Sequence, residues 1–285
     1  MNKVYACIDG LANTNAVIDW AAWAALRLAL PLEFLHVLER HPERAEVKDY
    51  SGAIGVDAQE SLLQELSDAD EKRGKQARKA GRRLLAAARE RAAASGLTRL
   101  DVRLRHGEFV DTVAEMQAHA RLFVLGEHFH ASGPAKVHLD HHVERVLRSV
   151  QRSVLVATAA EFEPPERIVI AFDGSASARK AVDKVAANPM LAGLPVVLAM
   201  VGVESTPARR QLEDARIALQ AAGFAAQTEL IAGEPQAVLP GLVKAQGPAL
   251  LVMGAFGHSR LRQLVLGSTT TTLLRRSEVP VLFLR

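Results

Sequence analysis

The second half of the chain alternates two hydrophobic periods. Arg167–Phe172, Pro195–Val201, Ala249–Gly254 and Val279–Leu284 are short apolar runs, and each, together with the more polar Ala226–Ile231, reads as a strand. Between them lie segments of helical period. Ala178, Ala181, Val182 and Val185 define one apolar face, with Ser177 read as its N-cap and Asn188-Pro189 as its end. A second helix is expected over Ala208–Ala221, closed by Gly223, a third over Gln236–Ala245 and a fourth over Ser268–Arg276. Strands apolar on both faces, separated by helices, predict a parallel sheet covered on both sides. Right-handed crossovers make that an open three-layer αβα sandwich.

The first half repeats this plan. Val4–Gly10 parallels Ile168–Gly174, both apolar runs ended by Asp-Gly. Arg105-His106-Gly107-Glu108 parallels Ile231-Ala232-Gly233-Glu234, Leu122–Gly126 parallels Leu250–Gly254, and Ser153–Val156 parallels Pro280–Phe283. The order is the same throughout, so the chain reads as a tandem repeat. The expected fold class is α/β: two tandem three-layer domains, each with a mainly parallel five-stranded sheet. The domains are placed at 1–158 and 167–285, joined by 159–166, where Pro164-Pro165 and neighbouring Glu residues suit an extended linker. The first half departs from the plan once. Glu39 to Asp68 is a long polar stretch, read as a loop or partly helical excursion. A basic helix follows, carrying Lys72, Arg73, Lys75, Arg78, Lys79, Arg82, Arg83, Arg89 and Arg91, with Ala77, Ala80, Leu84 and Ala88 as its expected apolar face.

The chain's 285 residues fit two domains, and 49% hydrophobic with 24% charged residues suits a packed core without staples. The net charge is only +3, and the basic helix reads as a solvated outer face, its alternative as a nucleic-acid or acidic-partner surface lacking aromatic residues among the charges, so no nucleic-acid partner is expected. The most apolar region, Ala16–Leu38, is interrupted by Asp19, Arg27, Pro31 and Glu33, so no membrane span is expected either. Cys7 is the single cysteine and lies in an apolar run, which points to an inert buried thiol, a reducing compartment and a cytoplasmic location.

The candidate chemistry lies near the C-terminus. Gly254-Ala255-Phe256-Gly257 is followed after nine residues by Gly267-Ser268-Thr269. Gly254 closes a strand, where ligands bind in open α/β sheets. Glycines there let main-chain N–H groups approach phosphate oxygens. Gly267-Ser268-Thr269 opens a helix whose free N–H groups and positive dipole end favour an anion. His258, Arg260 and Arg262 lie between them and could add positive charge.

This spacing, together with the Val279-Pro280-Val281 start of the last strand and the paired Asp-Gly openings, resembles the universal stress protein family, tandem type. The resemblance is strong in the second half and weak in the first. It implies an adenine nucleotide alpha hydrolase-like fold and an ATP site in the second half, with Mg2+ as an open accompaniment. By the same resemblance Asp173 faces the adenosine, and the backbone around Ala171 and Val201 lines the adenine slot. Gly254, Gly257, Gly267, Ser268 and Thr269 hold the phosphates. Asp173 also reads simply as a turn residue before Gly174.

Aligned at Gly126 and Gly254, the first half puts Phe129 opposite Gly257, Leu139 opposite Gly267 and Asp140 opposite Ser268. The first two add bulk. The third brings a carboxylate toward an anion, a repulsion of roughly 1 kcal/mol or more. The first half is therefore expected to have lost ATP binding and to serve as a pseudo-partner of the second, in place of a second subunit. Whether two chains pair into a homodimer stays open. His128, His130, His138, His141 and His142 crowd the same loop and offer an alternative, a metal-binding or purely structural interaction protein. Asp173 and Glu234 offer another, a slow ATPase. No Walker lysine or nucleophile turn is present, so the leading expectation is a nucleotide-binding stress or signalling module with at most weak hydrolysis.

Overall fold

The computed structural model describes residues 2–39, 56–127, 141–254 and 268–285. In the first half the strands are β1 (Lys3–Cys7), β2 (Leu32–Leu38), β3 (Leu100–His106), β4 (Ala120–Gly126) and β5 (Ser153–Ala157). The helices between them are α1 (Thr14–Leu28), α2 (Val56–Ala94), α3 (Phe109–Met116) and α4 (His141–Ser149). The second half gives β6 (Arg167–Ala171), β7 (Val196–Val201), β8 (Ala226–Ile231), β9 (Ala249–Gly254) and β10 (Val281–Leu284). Its helices are α5 (Ala176–Ala186), α6 (Thr206–Ala221), α7 (Pro235–Ala245) and α8 (Ser268–Arg276).

Each half is a parallel five-stranded sheet, as expected, and the two join into one. The strand order is β3-β2-β1-β4-β5-β10-β9-β6-β7-β8. At the seam β5 and β10 run antiparallel, with Val156 opposite Val281, Leu155 opposite Leu282 and Val154 opposite Phe283. A strand with unpaired N–H and C=O groups is a template for another strand, and each half covers the other's edge. All six of these side chains are at most 1% exposed. The cores run across the seam on both faces. One gathers α1, α2, α5 and α6 with Leu155 and Leu282. The other gathers α3, α4, α7 and α8 with Val154, Val156, Val281 and Phe283. At the seam, Arg27 on α1 also donates to the carbonyls of Met190 and Ala192. Trp20 of α1 meets Phe162, from the segment between the halves, edge to face at 4.8 Å.

The repeat extends to backbone detail. Asp9 and Asp173 each accept the N–H two residues on through Oδ1, at 2.9 Å in both halves. Gly10 and Gly174 follow with φ of 84° and 70°, a left-handed geometry that glycine adopts without strain.

Two local expectations need correction. The cap of α5 is Ser175, whose Oγ accepts from the Ala178 N–H at 3.1 Å, while Ser177 already lies inside the helix. The Asx turn at Asp173 starts the helix two residues earlier than the apolar spacing alone indicated. Among the described residues of α2 the buried positions are Gly81, Leu85, Ala88 and Ala92, with Leu84 half-buried, whereas Ala77 and Ala80 are exposed. Helical order begins at Val56, within the stretch read as a loop or partly helical excursion. A helix of 39 residues is about 58 Å long. Among the residues of α2 whose burial is described, burial begins at Gly81, and Ala77 and Ala80 lie before it.

Candidate functional site

The sheet order sets β9, β6 and β7 side by side, so their carboxyl ends share one edge. Ala171 ends β6, Val201 ends β7 and Gly254 ends β9, and all three are half-buried. In register, Ala171 faces Met253 on one side and Ala199 on the other. Ala171 and Val201 pack against the core on the α7 and α8 side. Asp173 lies two residues past β6, exposed, and its Oδ1 holds the Ser175 N–H. Its observed contact is thus the turn. Ser268 and Thr269 open α8, whose first N–H groups have no partner within their own helix. Gly257, His258 and Gly267 lie outside the described residues, as do Arg260 and Arg262. Glu234, a candidate for catalysis, is the exposed residue before α7 and makes no side-chain cap.

Gly254 has a structural task that its motif position did not reveal. A Cβ built on it would sit 2.4 Å from the Ser177 carbonyl oxygen and 3.1 Å from the Ala178 nitrogen. The missing side chain lets the first turn of α5 close onto the end of β9.

Val203 also escaped sequence reasoning. It follows β7 and is 87% exposed, the most exposed large hydrophobic residue described. Its signal was available: a valine in the turn Gly202-Val203-Glu204, at a strand's carboxyl end.

The corresponding edge of the first half is built differently. By the repeat, Glu39 stands where Val203 does, Phe109 where Pro235 does and His142 where Thr270 does. Glu39 Oε1 accepts the Phe109 N–H at 2.8 Å, at the first residue of α3. Its other oxygen lies 3.5 Å from His142 Nε2 on α4. The His142 and Phe109 rings meet edge to face at 5.3 Å. A carboxylate of the chain itself thus takes up a helix-start donor. Phe129, Leu139 and Asp140, which carried the expectation of a lost site, lie outside the described residues, as do His128, His130 and His138. Among the described residues no group of three His, Cys, Asp or Glu is placed to hold a metal ion.

Both halves match the family model of the universal stress proteins, over residues 1–158 and 165–285. The chain belongs to the universal stress protein family, with two tandem domains. It is 31% identical over 288 residues to Universal stress protein Slr1230 of Synechocystis, covering 100% of both chains. Among solved structures, a universal stress protein from Archaeoglobus fulgidus aligns over 100% of this chain and 96% of its own, with a TM-score of 0.68 at 18% identity. A putative universal stress protein from Pseudomonas aeruginosa aligns over 100% and 93%, with a TM-score of 0.64 at 19% identity. At these identities the two structures bear on the fold. Among the described residues no helix is long and apolar enough to cross a membrane.

Proposed function

We propose that the second half binds an adenine nucleotide, ATP in particular, and that the first half is a degenerate partner that does not. The carrying observation is the contrast between equivalent sheet edges. In the second half the strand ends at Ala171, Val201 and Gly254 carry small or half-buried residues, and the exposed Val203 stands beside them. In the first half Glu39, Phe109 and His142 interlock across the same edge.

The residues present fit the nucleotide. Val201 and Val203 offer an apolar flank to a purine, and the backbone near Ala171 supplies polar groups for its edge. Asp173 reaches the ribose by leaving its turn contact or by sharing it. The Gly254, Gly257 and Gly267 segments with Ser268, Thr269 and the start of α8 suit the polyphosphate. His258 adds a further donor, and Mg2+ would screen charge that the glycines alone leave unneutralised. In this reading the protein works as a cytoplasmic stress or signalling module whose output follows nucleotide occupancy.

Calorimetry with ATP tests it on the intact chain, on Gly257→Phe and on Gly267→Leu combined with Ser268→Asp, which install the first half's residues. The expected result is saturable binding at one site per chain and at least a tenfold loss in each variant. No ATP affinity in the unmodified protein overturns the reading, and undiminished binding in the variants overturns the phosphate contacts.

A further inference from the structure

The overall charge of +3 conceals a sharp separation. Lys72 to Arg91 contains nine of the 35 Lys and Arg residues and one acid, Glu90, so the rest of the chain is net negative. Helix α2 sorts those cations in space. At about 100° per residue, Gly81, Leu85, Ala88 and Ala92 form the face on the sheet. Lys75, Arg78, Arg82 and Arg89 form a row along one flank, and Lys72, Lys79 and Arg83 a second on the far side, with Ala86 between them. The long side chains wall an open groove of about 510 Å³ lined by Lys75, Arg78, Lys79, Arg82, Arg83 and Ala86, with no acid in its lining. Lys75 pairs with Glu71 at 2.7 Å and Arg73 with Asp70 at 3.3 Å. Arg78, Lys79, Arg82 and Arg83 make no ion pair with any described residue.

Two features narrow the partner. Residues 67–94 contain no aromatic side chain, so bases have nothing to stack on. The groove floor is a single alanine, so neither an apolar anchor of a protein partner nor a lipid tail finds a pocket. What fits between two rows of cations is a linear chain of evenly spaced negative charges.

We propose that this face of α2 binds the phosphodiester backbone of a nucleic acid, without regard to sequence. The phosphates lie along the Ala86 groove and the two cation rows clasp them from either side. The expectation of no nucleic-acid partner rested on net charge, which averages this face away, and on the lack of aromatic residues among the cations, which contacts to phosphates alone do not need.

The test is fluorescence anisotropy with a labelled 20-nucleotide strand and a 20-base-pair duplex, titrated with the full chain between 50 and 200 mM salt. With about five phosphates neutralised, log affinity falls with log salt at a slope near −4.5 for a duplex, roughly a 500-fold loss across that range. The combined variant Arg78→Gln, Lys79→Gln, Arg82→Gln, Arg83→Gln should bring the slope close to −1. Glutamine keeps helix propensity, and circular dichroism checks that α2 survives. The Arg78→Lys, Arg82→Lys, Arg83→Lys variant keeps the charge and should bind within a few-fold of the unmodified protein. No binding at 50 mM salt overturns the proposal, as does equal binding by the glutamine variant. Tenfold tighter binding of oligoglutamate or inorganic polyphosphate than of either nucleic acid overturns it too and assigns the face to that partner.

Discussion

Replacing Gly254 by alanine adds one methyl group, and the structure specifies what it meets. The new Cβ would lie 2.4 Å from the Ser177 carbonyl oxygen and 2.7 Å from its carbon, both main-chain atoms at the first turn of α5. Reaching even 3.0 Å requires a shift of about 0.6 Å between α5 and β9, and neither backbone can rotate away as a side chain would. Overpacking of this kind costs about 1–3 kcal/mol. An opposing effect comes from the unfolded chain, because alanine has fewer states to lose than glycine, worth about 0.4–1 kcal/mol. The steric contribution wins, and a net loss of roughly 1–2 kcal/mol is expected. For a domain of this size that lowers Tm by roughly 2–6 °C, readable by urea or thermal unfolding. Gly241→Ala is the control. Gly241 lies inside α7, and nothing lies within 4 Å of its Cβ position. There the helix gains roughly 0.5–1 kcal/mol, so the two substitutions should move stability in opposite directions. If Gly254→Ala is as stable as the unmodified protein, the close approach of α5 to β9 is not what excludes a side chain at Gly254.

Two further outcomes follow from titratable groups. Burial is the main influence that pushes the Cys7 thiol well above its ordinary range, with Asp9 adding to it, so iodoacetamide should label Cys7 only at the rate of unfolding and rapidly in denaturant. The Lys3 ammonium is raised above its ordinary 10.5, chiefly by its hydrogen bond to Asp101, opposed by burial and aided by Glu33. A raised folded value stabilises below 10.5 and is lost as pH climbs through the folded value. Chemical denaturation between about pH 9.5 and 11.5 should therefore show a falling midpoint, and a smaller fall in Asp101→Asn.

The αβα architecture was legible because it rests on the two hydrophobic periods. The four helices of the second half begin within two residues of where their patterns placed them, and the burial of Ala178, Ala181, Val182 and Val185 follows from spacing alone. The repeat was legible for a stereochemical reason. Gly107 and Gly233 share φ near 130°, and a position that excludes side chains keeps its glycine in both copies. The antiparallel seam was not legible, since β5 and β10 read as ordinary apolar strands and nothing in a strand's composition names its partner. The buried face of α2 misled because alanines at helical spacing look the same where a helix is packed and where it is exposed, as at Ala77 and Ala80. At the candidate site, the strand ends and the helix start were visible. The Glu39–Phe109–His142 contact was not, since it joins three elements distant in sequence.

The seam bears on how the proposed division, a nucleotide site in the second half and none in the first, could arise. In an assembly of two identical chains every substitution appears twice, so a change that spoils one pocket spoils both. Joining the two copies in one chain removes that constraint. The first half must still present Val154, Leu155 and Val156 to β10 and keep Arg27 against the Met190 and Ala192 carbonyls, because these contacts hold the second half's sheet edge and core in place. Its own carboxyl edge carries no such obligation. Glu39 can then satisfy the start of α3, and α2 can lengthen to 39 residues and collect cations, without touching the strand ends at Ala171, Val201 and Gly254. On this argument, returning the first half to an open edge is not a matter of one residue. Replacing Glu39 with valine removes the carboxylate but leaves Phe109, His142, Phe129, Leu139 and Asp140, so Glu39→Val alone should leave the nucleotide stoichiometry at one per chain. A second bound equivalent in that variant would mean that the first half had kept a working phosphate cradle, and the proposed division of labour between the halves would fall.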